Sequence, residues 1–263
     1  VGMIFFVGLS FAKMQKDHFR KERMLLEIND HLEEKIAART KRIEDVTSIA
    51  ILSLAKLAES RDTDTGAHLK RIKAYTGILA STLLDQGKFK HHLNKKYIKD
   101  LVQSSPLHDI GKVGIPDNIL LKEGPLTAEE REKINTHTNI GGNALKEAHE
   151  QIGGESFLSL AQEIAYSHHE KFDGTGYPKG IKGEDIPLSA RIVSIVDVYD
   201  ALRSRRPYKK ALTHEQTLKI MRNEMKGAFD PVILETMVNM KEQFCEIMDG
   251  TAESMKRKAI AVA

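Results

Sequence analysis

Residues 168–180 read HHEKFDGTGYPKG and open the one long irregular stretch in a chain whose pattern is otherwise helical. Between Lys171 and Leu188, four glycines and two prolines interrupt any helical repeat. A glycine-rich loop of this length inside a helical domain usually carries function. The stretch therefore predicts a functional loop that helices on either side hold in place.

Helical spacing dominates the chain outside this loop. Two segments each have an apolar helix face. One face consists of His68, Ile72, Tyr75, Leu79 and Leu83, and the other of Ile51, Leu54, Ala55 and Ala58. Capping boxes are predicted at Thr127-x-x-Glu130 and Thr213-x-x-Gln216, and Asp230-Pro231 predicts another helix start. Because alternating strand patterns are scarce, we expect an all-α fold.

Composition sets the protein class. The chain has 263 residues, of which 41% are hydrophobic and 29% charged, enough for one large domain or two small ones. This composition excludes collagen, a disulfide scaffold and wholesale disorder. The single cysteine, Cys245, points to a reducing compartment. A formal charge of +3 gives no indication of a nucleic-acid polymer as partner.

The first residues are apolar and are followed by basic ones. Residues 1–12 read VGMIFFVGLSFA, and five lysines or arginines follow between Lys13 and Arg23. The run is shorter than the roughly 20 residues of a spanning helix. Together with the initial Val1, it suggests a fragment that begins at the end of a transmembrane helix, with the following domain in the cytoplasm and anchored to the inner membrane. A buried helix of a soluble domain is the alternative.

Residues 24–50 predict a long helix with a thin apolar seam. The heptad positions are Leu25, Leu32, Arg39 and Val46, interleaved with Asn29, Ile36, Ile43 and Ala50. An isolated helix of this kind is marginal in water, so we expect a homodimer through a coiled coil rather than a solitary solvated helix. The expected division is 1–12 membrane end, 13–48 basic and coiled-coil helix, 49–247 main helical domain and 248–263 tail.

Histidines and aspartates form the chemical signal. His68, the pair His108-Asp109 and Asp197 make a four-part set for one divalent ion. Another three histidines, His137, His168 and His169, exceed the needs of one ion and suggest a second. Any one of them alone could be a satisfied core histidine. The remaining six are assigned to the surface: His18, His31, His91, His92, His149 and His214.

Three segments together resemble the HD-GYP family, the metal-dependent cyclic dinucleotide phosphodiesterases of the HD superfamily. They are LHDIGKVGIPDNIL at 107–120, HHEKFDGTGYPKG at 168–180 and DVYDALRSRRPYK at 197–209. The resemblance covers about residues 50–245, and all nine named positions of HHExxDGxGYPxG are present. It implies that residues 49–247 are an HD-GYP phosphodiesterase domain, an HD-superfamily helical bundle with an inserted Gly-rich GYP loop, preceded here by the long coiled-coil helix.

The resemblance also implies residue roles. Metal ligands would be His68, His108, Asp109, His137, His168, His169, Asp197 and Asp64. Catalysis would use Lys112 and Asp109, and substrate would contact Tyr177, Gly176, Pro178, Arg206, Lys209 and Arg71. Two divalent ions, iron or manganese, are expected. Members with a third metal carry glutamate where Asp64 stands, so a third ion would bind weakly, and Asp64 is equally suited to an N-cap role.

The implied activity is hydrolysis of cyclic di-GMP to pGpG or GMP in bacterial second-messenger signalling. Two ions can activate hydroxide for attack on phosphorus and polarise the phosphoryl oxygens, with Lys112 beside the charge that develops. Tyr177 could stack on a guanine or pack the loop against the domain. The alternatives are a non-catalytic receptor or scaffold for a GGDEF-domain partner, and an HD hydrolase of another cyclic dinucleotide.

Overall fold

The computed structural model describes residues 2–59, 67–204 and 211–250, with side chains from Met14 onward except that of Asp17. Within these ranges every regular element is a helix, which confirms the all-α prediction. The α-helices are α1 (Gly2–Glu59), α2 (Ala67–Asp85), α3 (Lys95–Ser104), α4 (Asp117–Leu120), α5 (Ala128–Asn135), α6 (His137–Ile152), α7 (Phe157–Ser167), α8 (Leu188–Arg203), α9 (His214–Asn223), α10 (Pro231–Val238) and α11 (Lys241–Met248). Short 3-10 turns lie at Ser105–Leu107, Ile110–Gly114 and Gly183–Asp185.

The chain divides into two units, Val1–Ala50 and Ile51–Ala263. The first unit is helical, and its described seam residues, including Leu32, Ile36 and Ile43, are exposed. No helix among the described residues has a stretch long and apolar enough to cross a membrane. Side chains of residues 1–12 lie outside the described ones, so the membrane end stays a prediction.

The second unit has its main core around α2 and α8. The predicted face of α2 is buried, and Tyr75 stacks on Phe244 while Tyr199 meets both rings edge-on. Burying one large apolar side chain contributes about 1.5–3 kcal/mol, so this face alone fixes the position of α2 firmly. His68 belongs to the same helix, and its first turn is thereby held in place.

A smaller apolar cluster seats the end of α1. Ile51 and Ala55 are buried there with Leu69 and Leu107. Leu54 lies on the same helix face by its spacing, but its side chain is 58% exposed. The apolar stripe on this part of α1 is narrower than the sequence pattern suggests.

Helix starts match the sequence. Both capping boxes form, at Thr127 with Glu130 and at Thr213 with Gln216. Asp230 caps α10 by accepting from the backbone N–H groups of Val232 and Ile233. Each such cap contributes roughly 0.5–2 kcal/mol.

The predicted irregular stretch is present between α7 and α8, and its only regular element is a 3-10 turn. Phe172 and Asp173 donate backbone hydrogen bonds to the carbonyls of Ala228 and Gly227, before α10. These bonds tie the loop to a distant part of the same unit.

One predicted surface histidine is buried. His214 is 3% exposed, and its Nδ1 lies 2.9 Å from the hydroxyl of Tyr199. The surface assignment of His214 is wrong because the first turn of α9, which begins at His214, packs on α8. The charged neighbour Glu215 gives no sign of this packing in the sequence.

Candidate metal centre

The structure brings together seven of the predicted metal ligands. Six of them lie at or beside helix ends, and the seventh lies inside a helix. His68 opens α2, His137 opens α6, and His168 and His169 follow α7. The pair His108-Asp109 lies between two 3-10 turns, and Asp197 projects from the middle of α8. The ends of several helices can lie around one common space, so side chains at those ends can approach one another.

Three of the histidines share one orientation. The Nδ1 atoms of His108, His137 and His168 lie 3.0, 2.8 and 3.0 Å from the backbone carbonyls of residues 105, 134 and 164. We infer that each Nδ1 carries the proton and donates it, which leaves a lone pair on Nε2. All three Nε2 atoms are buried and, among the described residues, have no hydrogen-bond partner.

Such unmatched lone pairs are the observation that fits a metal. A buried nitrogen without a hydrogen bond lowers the stability of the fold by about 1–3 kcal/mol. Three such nitrogens close together would be strongly destabilising unless a ligand satisfied them. A histidine that ligates a metal typically donates its other N–H to a carbonyl or carboxylate, as these do. The described residues therefore fit a divalent ion.

Asp109 lies between two sets of histidines. Its Oδ1 is 3.2 Å from Nε2 of His137 and 3.5 Å from Nε2 of His168. Its Oδ2 is 3.5 Å from Nε2 of His108 and 2.8 Å from Nζ of Lys112. The two oxygens of one carboxylate thus face different ligands, which is the arrangement that a bridging carboxylate requires.

Two groups of ligand atoms follow from these positions. One consists of Asp109, His137, His168 and His169, and the other of Glu59, His68 and His108, with atoms in each group within 4.8 Å of one another. Asp197 Oδ1 lies 3.7 Å from Nε2 of both His68 and His108, beside the second group. Imidazole and carboxylate together suit first-row divalent ions.

His68 is oriented by a carboxylate rather than a carbonyl. Its Nδ1 lies 2.7 Å from Oδ2 of Asp200, which is fully buried. The guanidinium of Arg71 forms two hydrogen bonds to the same carboxylate, at 2.6 and 2.8 Å. Arg71, predicted to contact substrate, thus has its guanidinium against Asp200 in this structure.

Charge and burial shift the pKa values of these groups in opposite directions. Burial lowers the pKa of His68, but Asp200, Asp197 and Glu59 outweigh it and raise the pKa to about 9. Burial lowers the pKa of His108 to about 4, since fewer anions surround it. Burial would raise the pKa of Asp109, but Lys112 and the histidines hold it well below its usual range. Asp109 is thus ionised and His108 neutral, the forms that bind metal, whereas His68 would release a proton on binding an ion.

The GYP loop folds back on the histidine pair. The Tyr177 ring stacks on the His169 ring, with centroids 4.7 Å apart and planes 26° from parallel. Glu170 is buried and accepts from the backbone N–H of Lys179 at 2.7 Å, which closes the loop. The Tyr177-Pro178 peptide bond is cis.

Two glycines permit close backbone approach. A Cβ on Gly176 would collide with backbone atoms of His169, Glu170 and Lys171. A Cβ on Gly111 would collide with the carbonyl of His137 and the amide of Gly141. The loop and the HD segment pack directly against the backbone that bears the ligands, and this close approach leaves no room for a side chain at either glycine.

Sequence reasoning missed three residues of the site. Glu59 precedes His68 by nine positions, and no local motif signals its proximity. Asp200 was visible as the second acid of DVYD, one helical turn after Asp197. Glu170 stood inside the quoted HHE triplet without an assigned role. Asp64, Arg206 and Lys209 lie outside the described residues, and their predicted roles stay predictions.

Comparison with known proteins agrees with this site. Residues 53–233 match the sequence model of the HD domain family. The chain is 43% identical over 220 residues to a cyclic di-GMP phosphodiesterase of Vibrio cholerae, covering 84% of this chain and 45% of that protein. It is 35% identical over 229 residues to the cyclic di-GMP phosphodiesterase response regulator RpfG of Xanthomonas campestris, covering 87% and 57%.

A solved structure shares the fold. It is a cyclic GMP-AMP specific phosphodiesterase of V. cholerae, with a TM-score of 0.56 and 19% identity, covering 81% of this chain and 53% of that one. The chain spans about half the length of the curated relatives it matches. From the family match and the intact GYP motif, the chain belongs to the HD domain family, in its HD-GYP branch.

Proposed function

We propose that this domain is a metal-dependent phosphodiesterase that hydrolyses cyclic di-GMP to pGpG or GMP. The observation that carries the proposal is the position of Asp109, whose two oxygens face two different sets of histidine Nε2 atoms. The names of the two curated relatives, both cyclic di-GMP phosphodiesterases, support the same substrate.

Divalent ions held here would supply activation of water and polarisation of the phosphoryl oxygens. Asp109, His137, His168 and His169 would hold one ion, and His68, His108, Asp109 and Asp197 the other. Histidine-rich sets with carboxylates suit iron or manganese, and we propose one of these with two ions per chain. A third, weaker ion would depend on Asp64.

The surrounding residues have separate tasks. Lys112 places a positive charge at the edge of the centre, where it would stabilise charge that develops on the phosphoryl group. Tyr177, stacked on His169 and half-buried, would position the substrate beside the ligands through its ring or its hydroxyl. Arg206 and Lys209 would bind the remaining phosphate or a guanine edge.

Product analysis tests this proposal. Protein purified without air or chelator would be incubated with cyclic di-GMP, 3'3'-cGAMP and cyclic di-AMP, and products would be separated by chromatography. We expect pGpG or GMP from cyclic di-GMP, abolished by chelation and restored by Mn²⁺ or Fe²⁺. Binding of cyclic di-GMP without any product would instead favour the receptor or scaffold function. Preferred hydrolysis of another dinucleotide would change the substrate but keep the mechanism.

We further propose that the protein is a homodimer through residues 24–50. The support is the exposed seam along α1, which includes Leu25, Leu32, Ile36, Ile43 and Val46. Large apolar side chains exposed at heptad spacing match the seam of a coiled coil, and a second copy is the natural partner. A GGDEF-domain partner stays a prediction from the family resemblance.

A further inference from the structure

We propose that Glu59, the last residue of α1, is a ligand for the metal ion at His68 and His108. Its carboxylate belongs to the second ligand group, and Oε1 lies 4.0 Å from Nε2 of His68. The inference rests on the proposed metal-dependent function and adds a ligand that lies outside every motif matched in the sequence.

The distances fit ligands of one ion better than hydrogen bonds. Two donor atoms that share an ion at about 2.0–2.2 Å lie about 3–4.2 Å apart, depending on the coordination angle. Glu59 and His68 at 4.0 Å, and Asp197 with either histidine at 3.7 Å, fall within this range. All three separations exceed a hydrogen bond between these atoms.

Charge supports the same conclusion. Glu59 is only 5% exposed, and the carboxylates of Glu59 and Asp197 both approach Nε2 of His68, at 4.0 and 3.7 Å. Two carboxylates in one buried space repel, and each loses hydration. A divalent cation between them would offset both charges.

Packing fixes Glu59 relative to both histidines. The apolar cluster that seats α1 through Ile51 and Ala55 also contains Leu69 and Leu107. Leu69 directly follows His68, and Leu107 directly precedes His108. One apolar cluster therefore positions all three members of the ligand group through their chain neighbours.

The proposal changes the expected role of the acidic residues before His68. Asp64 was the sequence-based candidate for an additional carboxylate, with a side chain one methylene shorter than glutamate. Glu59 supplies a full-length glutamate side chain from a different position, the end of α1. On this view the ion at His68 is complete without Asp64.

Metal binding by variants tests the inference. Wild type and Glu59→Gln would be stripped of metal, checked for folding by circular dichroism, and titrated with Mn²⁺ against a competing chelator. Glutamine keeps the size of the side chain and removes its charge. We expect one ion per chain to bind at least about tenfold more weakly while the other is unchanged. Glu163→Gln is the matched control, since Glu163 is a half-buried carboxylate that accepts from Ser189 outside both ligand groups.

The outcomes separate the two proposals. If wild type binds no metal, the proposed metal-dependent function fails. If wild type binds two ions and Glu59→Gln binds both with unchanged affinity, the function stands and the ligand role of Glu59 is wrong. Should Glu59→Gln not fold, Glu59→Asp provides the same test, because its retracted carboxylate should weaken one ion, and unchanged affinity would overturn the proposal.

Discussion

The imidazole Nδ1 of His68 lies 2.7 Å from the carboxylate of Asp200, which is fully buried. Asp200 thereby turns Nε2 of His68 toward His108 and Asp197, two of the residues that would share an ion with it. Arg71 binds both oxygens of Asp200, so the carboxylate cannot rotate away from the ring. Asp200, which lies outside both ligand groups, thus decides which nitrogen of His68 faces the space where an ion would bind.

We expect Asp200→Asn to weaken metal binding at His68 by about 10–100-fold, because a neutral amide accepts from Nδ1–H of His68 less strongly than a carboxylate and makes the ring a weaker ligand. Competitive metal titration of the purified variant measures this. Asp230→Asn is the control, since Asp230 pairs with Arg191 at 2.7 Å in another buried ion pair without metal ligands. Equal metal affinity in the two variants would show that Asp200 does not position His68 for metal binding.

Lys112→Ala should lower kcat by about 10²–10³ while the metal content stays near that of wild type, because its charge acts on the developing phosphoryl charge. Steady-state kinetics together with elemental analysis check both parts. Lys122→Ala serves as comparison, since Lys122 pairs with Glu130 on a neighbouring element. A kcat within twofold of wild type would exclude a catalytic role for Lys112.

Gly176→Ala should displace the GYP loop, because the added methyl group meets backbone atoms that cannot move aside. We expect a loss of activity together with a lower melting temperature. Gly114→Ala should be milder, since its Cβ meets only the side chain of Ile140 at about 3.0 Å. Similar melting temperatures and activities for the two variants would argue against tight packing of the loop.

The double variant Leu32→Lys, Ile36→Lys should weaken the dimer, because it buries four like charges in the predicted seam. Sedimentation equilibrium should show a dissociation constant raised by at least about tenfold, or ~1.4 kcal/mol. Glu34→Lys reverses a charge on the opposite face and should leave the dimer intact. A monomeric, fully active wild type would refute the dimer.

Local patterns predicted most of the fold. The capping boxes at Thr127 and Thr213 and the cap at Asp230 formed as expected, because each depends on neighbours within one turn. Burial was harder to predict. Leu54 is exposed and His214 buried, since both outcomes depend on which distant helix packs beside them.

The residues of the metal centre also fall into two kinds, those that sequence motifs indicate and those that only tertiary packing brings close. His108, Asp109, His168 and His169 stand in motifs that a reader can recognise, and the structure brings them to one centre. Glu59 comes near them only through the packing of the end of α1, which no spacing in the chain encodes, whereas Asp200 lies one helical turn after Asp197 but shows its role only through its contact with His68. Sequence predicted the chemistry, whereas tertiary structure was needed to find the residues that complete and orient it.

The central claim is that Asp109 joins two ions in one hydrolytic centre. Its most direct test is the metal content and cyclic di-GMP hydrolysis of Asp109→Ala beside wild type, both purified without air or chelator. We predict two ions per chain and hydrolysis in wild type, and loss of at least one ion and of all measurable hydrolysis in a folded variant. Full metal content with unchanged turnover in Asp109→Ala would contradict the account.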